Sequence, residues 1–252
     1  MNTTTAAAAT VAASSPAIST STSTPAPYAT LLLIRHGETE LNARGILQGS
    51  GVDYPLNDVG RAQARQLGER LASARVDLVA ASTLHVVPGL EEISWGEFDG
   101  KANQNLSPLM DAWNSGDFDA RCPGGESAAE VEARALPAIR QLLDEHGGDN
   151  RHLAIVIHGR LLRVILSSLL DGVLDRMHTY DHRNTCINQI SVYHDPAHRS
   201  LPAWTGRRAP SAARQQLAAY RFEAVCLNDT QHLTPLTTPV DPATSAMSPQ
   251  HS

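Results

Sequence analysis

The 252-residue chain has no apolar run of about 18 residues or more, so no membrane-spanning helix is expected and no membrane as a partner. Its three cysteines, Cys122, Cys186 and Cys226, show no CxxC spacing. An odd, dispersed set supports neither a zinc site nor a disulfide framework, and reduced structural thiols are expected. Histidines four residues apart occur twice, His178 with His182 and His194 with His198. Neither pair carries the glutamate of an HExxH helix, and the second lies in a turn-forming His-Asp-Pro-Ala-His stretch. No metal is expected. An excess of basic charge is also lacking: the net charge is −6 with both signs interspersed, which argues against nucleic acid as a partner. A small anion has to be attracted by a local arrangement.

The first charged residue is Arg35. Residues 1–28 are small, polar and without helical or strand period, so a disordered tail is expected there. That stretch has neither the basic n-region and apolar core of a secretory signal nor the arginines of a mitochondrial presequence, and a cytoplasmic location is the expectation. Residues 228–252, rich in Pro, Thr and Ser, form the second expected tail. One domain, 29–227, remains, long enough to bury a sizeable core.

What is present begins at Leu31-Leu32-Leu33-Ile34-Arg35-His36-Gly37-Glu38-Thr39. A short apolar run reads as a buried strand, which places Arg35, His36 and Gly37 just beyond its carboxyl end, the edge where open α/β sheets bind ligands. Arginine offers a planar fork to phosphate oxygens, a neutral imidazole is a nucleophile, and glycine lets backbone approach a ligand. Together they suggest phosphoryl chemistry on histidine. A second apolar strand, Leu153 to Ile157, ends the same way in His158-Gly159. If the two strands lie parallel in one sheet, both histidines face one phosphate.

Strands and helices alternate between these points, the pattern of an α/β fold. Asn57 opens a helix over 58–74, with Val59, Ala62, Leu67 and Leu71 at helical spacing. Residues 77–81 follow as a strand. Ser127 with Glu130 makes a capping box for a helix reaching about residue 146. Residues 160–170 read as a buried helix closed by Asp171-Gly172, and 187–193 and 217–226 as late strands.

RHGET after an apolar strand, followed by Asn42, Gln48-Gly49, Asp53-x-Pro55-Leu56 and Gly60-x-x-Gln63-Ala64, resembles the opening of the histidine phosphatase superfamily, the phosphoglycerate mutase-like proteins. The resemblance covers about residues 30–193. It implies a three-layer α/β/α fold with a mainly parallel central sheet, a small phosphorylated substrate and no cofactor. By the same resemblance His36 is the nucleophile that becomes phosphohistidine and Arg35 clamps phosphate. Asn42, Gln48 and Gly49 line the phosphate, and His158, with Gly159 beside it, supports the transferring group. In Leu90-Glu91-Glu92-Ile93-Ser94-Trp95-Gly96-Glu97-Phe98-Asp99-Gly100, Glu92 falls where the family keeps its proton donor, and this segment resembles the phosphatase branch more than the mutases. Hydrolysis is therefore favoured over mutase transfer.

The chain also departs from the family. After the strand at 77–81, Ser82-Thr83-Leu84 runs directly into His85-Val86-Val87-Pro88, so roughly twenty residues of a crossover are absent, and with them a second phosphate-clamping arginine. Each lost charge-assisted hydrogen bond costs on the order of 1.5 to 3 kcal/mol, which implies reduced activity. Arg160, directly after His158-Gly159, is the expected substitute. A non-catalytic phospholigand-binding protein is the alternative reading. Nothing in the sequence reports the oligomeric state.

Overall fold

The computed structural model describes residues 26–81, 87–102, 104–197 and 209–234. Its strands are β1 (Ala29–Arg35), β2 (Leu78–Ala81), β3 (Arg151–Ile157), β4 (Ile187–His194) and β5 (Tyr220–Asp229), joined in one sheet of order β2-β3-β1-β4-β5. β2, β3 and β1 pair in parallel, β4 runs antiparallel to β1, and β5 antiparallel to β4. Among these strands only β4 is reversed, and the expected mainly parallel sheet is observed.

The helices are α1 (Glu40–Ala43), α2 (Asp58–Ala72), α3 (Ser107–Ser115), α4 (Ala128–His146), α5 (Gly159–Leu166) and α6 (Ala212–Gln215). β1 is apolar from Leu31 to Ile34 because both of its faces are covered. Leu31 and Leu33 pack with Ala135, Ile139, Leu162 and Ile165 of α4 and α5. Leu32 and Ile34 pack with Leu67 and Leu71 of α2 on the other face. These are the three expected layers. The Ser127–Glu130 capping box starts α4. After α5 the chain makes one π-helical turn over Ser167–Asp171, which ends at Gly172 in the left-handed conformation, φ 75°.

Two boundaries differ from expectation. Tyr28 belongs to the fold: its hydroxyl donates to the Leu143 carbonyl at 3.2 Å, and its ring packs against His194 and Tyr220. At the other end β5 passes 227 and runs to Asp229, where the Asn228 N–H donates to Asn188 Oδ1 at 2.9 Å. The chain then returns to α2, where Gln66 Nε2 donates to Thr234 Oγ1. Composition hid this return because Asn, Asp and Thr suit packed surface turns as well as tails. The rest of both expected tails, residues 1–25 and 235–252, and the shortened connection at 82–86 lie outside the described residues. β2 takes its place beside β3 all the same, and Leu90 and Ile93 are fully buried in the α4–α5 core.

Candidate active site

The register of the two parallel strands builds the site. Arg35 pairs with Ile157 across β1 and β3, so His36 and His158, each one residue further on, leave the same sheet edge side by side. Their ring centroids are 5.1 Å apart. His36 Nδ1 lies 2.7 Å from the Gly37 carbonyl oxygen. A carbonyl only accepts, so Nδ1 carries the proton and Nε2 keeps its lone pair. The backbone carbonyl that orients this ring is thus that of Gly37.

The motif residues that follow hold this turn in place. A Cβ on Gly37 would stand 2.7 Å from the Gly60 carbonyl oxygen, and one on Gly60 2.0 Å from that of Glu38; both glycines are needed for the close approach of loop and helix. Asn57 caps α2 through Gly60 N–H and donates to Glu38 Oε1, and Gln63 Oε1 accepts from Glu38 N–H. Thr39 and Asn42 form a capping box for α1, and Thr39 Oγ1 donates to Gln48 Oε1 at 2.8 Å.

Glu92, 7% exposed, reaches the same edge from a loop. Its Oε1 accepts from Ile93 N–H at 2.9 Å and Leu161 N–H at 2.8 Å, and its Oε2 accepts from Arg160 N–H at 2.9 Å. The carboxylate thus satisfies the first turn of α5, where orphan donors and the helix dipole favour an acidic group. Arg134 of α4 fixes this loop by donating to the carbonyls of Gly89, Glu91 and Glu92, backed by Glu126. Replacing Arg134 by methionine removes the donor to those carbonyls and leaves Glu126 with only the Ser94 N–H. Roughly 2 to 3 kcal/mol of stability is expected to be lost, read as a lower thermal midpoint.

Arg35, His36, Asn42, Gln48, Glu92, Gly159 and Arg160 line one cleft of about 350 Å³. Gly49 is not among the residues lining this cleft; a Cβ there would meet Asp99 Oδ1 at 2.0 Å, so the position is fitted closely against Asp99. Both ends of the Gln48 amide are engaged, with Thr39 and with the Val52 carbonyl, and Gln48 forms wall. The Arg160 guanidinium lies over Trp113 and Trp95, 5.3 and 5.8 Å from the ring centroids, with Nη2 3.7 Å from Met110 Sδ. Those contacts hold a second cation at the cleft wall.

Sequence reasoning missed His182 and Asn184, which also line the cleft. Arg35 Nη1 donates to the His182 carbonyl at 2.8 Å and meets His182 Nδ1 at 3.2 Å. Asn184 Nδ2 donates to the His36 carbonyl at 3.1 Å and to Asn42 Oδ1 at 3.3 Å. Their signal was topological. Because β4 is antiparallel to β1, the residues before Ile187 emerge beside His36, whereas the histidine spacing had suggested only a metal pair. Among the described residues no cluster of three or more metal-binding side chains occurs, and no helix is long and apolar enough to cross a membrane.

Burial, with His158 beside it, holds the His36 imidazole down at about 4. Burial, then Arg35, does the same for His158, also to about 4. The unfolded chain protonates these rings near the ordinary value of about 6.5, so between the two values it binds more protons than the fold. The stability they contribute is therefore full above about pH 6.5 and is lost as the pH falls toward 4. For His36 alone this amounts to about 3 kcal/mol. The thermal midpoint is expected to drop between about pH 7 and pH 4.5, and the drop to shrink in a His36→Asn variant.

A profile described as the histidine phosphatase superfamily (branch 1) matches residues 31–86 and 83–205. The two matches meet at 83–86, the place of the shortened crossover. Fructose-2,6-bisphosphatase TIGAR B of Danio rerio is 29% identical over 143 residues, which are 46% of this chain and 56% of that protein. The probable phosphoglycerate mutase GpmB of Yersinia enterocolitica is 32% identical over 188 residues, 66% of this chain and 86% of that one. A mycobacterial glucosyl-3-phosphoglycerate phosphatase, solved in complex with VO3, superposes with a TM-score of 0.60 at 19% identity, covering 80% of this chain and all of the other. That likeness shows the fold.

Proposed function

Since this chain belongs to the histidine phosphatase superfamily, we propose that it hydrolyses a phosphate monoester through a phosphohistidine formed on His36. The observation that carries the reading is the His36 ring, neutral, tied at Nδ1 to Gly37 O, and facing His158 across 5.1 Å. His36 Nε2 donates its lone pair to phosphorus while the bond to the ester oxygen breaks. Glu92 hands a proton to that oxygen, and the alcohol leaves. In the second half Glu92 takes a proton from water as the water oxygen attacks phosphorus, the P–N bond breaks and phosphate departs. Arg35 and His158 stabilise the charge on the equatorial oxygens, and Asn42, with Oδ1 occupied, offers its NH2.

The segment 90–100 supports hydrolysis over mutase transfer through its resemblance to the phosphatase branch. The test is p-nitrophenyl phosphate with the purified protein. Release of nitrophenolate and inorganic phosphate in equal amounts is expected. Activity that requires 2,3-bisphosphoglycerate would make it a mutase, and binding of phosphate with no turnover of any monoester would make it a phospholigand-binding protein.

A further inference from the structure

The donors left for a phosphate in this cleft can be counted one by one. A helix N-terminus often supplies backbone N–H groups to an anion, but here Glu92 already occupies the N–H groups of Arg160 and Leu161. Arg35 spends Nη1 on His182, through both the carbonyl oxygen and the ring. Gln48 spends Oε1 on Thr39 and one of its two Nε2 hydrogens on the Val52 carbonyl, and the Arg160 guanidinium is held over two tryptophan faces. Arg35 Nε is left buried without a partner, so Arg35 is only partly spent and few other fixed donors stand beside it.

His182 stands directly against Arg35. A guanidinium only donates, so its contact with Nδ1 makes that nitrogen an acceptor and puts the ring proton on Nε2. The ring lines the cleft with His36. Its Cε1 lies 3.4 Å, and Arg35 Nε 3.3 Å, from the place a Cβ on Gly159 would take. Gly159 is the residue after His158, so the ring sits beside both the clamping arginine and the second histidine. Any larger side chain at 159 would push into this cluster. Burial, followed by Arg35 and Arg163, keeps the ring neutral, down at about 4, and a neutral ring with Nδ1 accepting is a fixed N–H donor.

We propose that His182 Nε2–H binds a phosphoryl oxygen and, together with its grip on Arg35, takes over the clamping that the lost arginine would have provided. This rests on the phosphate-cleft reading above and adds to it a residue with two jobs. Nδ1 and the carbonyl orient Arg35, and Nε2 contacts the ligand. A hydrogen bond from this neutral donor to an anionic phosphoryl oxygen corresponds to at least about a tenfold effect on affinity.

The experiment compares wild type, His182→Ala and His182→Gln, with inorganic phosphate and orthovanadate titrated calorimetrically and p-nitrophenyl phosphate turnover measured in parallel. In His182→Ala both anions are expected to bind about tenfold more weakly and KM to rise in proportion, with kcat within a few fold. Glutamine places an amide N–H near the position of Nε2 and is expected to recover most of the affinity. Circular dichroism and the thermal midpoint show whether each variant folds, and the glutamine variant keeps the test open if alanine does not. Anion affinity in a folded His182→Ala within twofold of wild type would overturn the proposal, as would an alanine loss that glutamine fails to restore. The two readings separate cleanly. Binding that depends on His182 without turnover would sink hydrolysis and keep the clamp, whereas turnover that depends on His36 but is indifferent to His182 would do the reverse.

Discussion

Replacing His36 by alanine is expected to lower turnover of every phosphate monoester at least about 10³-fold, because it removes the atom that accepts the phosphoryl group. Anion affinity should change far less, since Arg35 and the other donors remain. The ring makes its hydrogen bond to Gly37 O within the same turn, and burial costs it protons rather than earning it partners, so the fold is expected to survive the change. In wild type the acid limb of kcat/KM should fall near the depressed value of about 4 rather than near 6.5, because the nucleophile stays neutral down to that pH. Steady-state kinetics on monoesters from about pH 4 to pH 8 measures both.

The second large effect belongs to Glu92, and it depends on the leaving group. Nitrophenolate departs without a proton, whereas an alkoxide does not. Glu92→Gln is therefore expected to reduce kcat by about 10² to 10⁴ with an alkyl phosphate and by much less with p-nitrophenyl phosphate. The hydrolysis of the phosphoenzyme also loses its base, so with the good leaving group an initial burst of nitrophenolate followed by a slow phase is expected. Glutamine keeps one accepting oxygen but turns NH2 toward a backbone N–H that Glu92 now satisfies. A stability loss of roughly 1 to 3 kcal/mol accompanies it. Equal losses on the two substrates would mean that Glu92 only caps α5.

Much of this was legible because the chemistry sits where apolar runs stop. Leu31 to Ile34 and Leu153 to Ile157 announce buried strands, and the structure pairs them in the parallel register that aligns His36 with His158. Gly60 and Gln63 belonged to the motif, but their purpose shows only in space, in the packing of α2 on Gly37 and Glu38. Gly49 shows a fit to Asp99 that the motif did not announce, since a glycine in a motif does not say whether ligand or side chain needs the room. His182 and Asn184 were unreadable because their position depends on β4 running antiparallel to β1, and strand direction leaves no mark in local periodicity. The ends of the domain were misjudged for a similar reason. Tyr28 and residues 228–234 are held by long-range contacts, which composition does not encode.

The covalent step on His36 is the centre of the proposed reaction. Brief reaction with a phosphorylated substrate, a base quench that preserves phosphohistidine, and peptide mapping by mass spectrometry read that step directly. A phosphoryl group on His36, absent from His158 and more abundant in Glu92→Gln, is the expected result. Turnover with no phosphoryl group on His36, or with one on another residue, would contradict it.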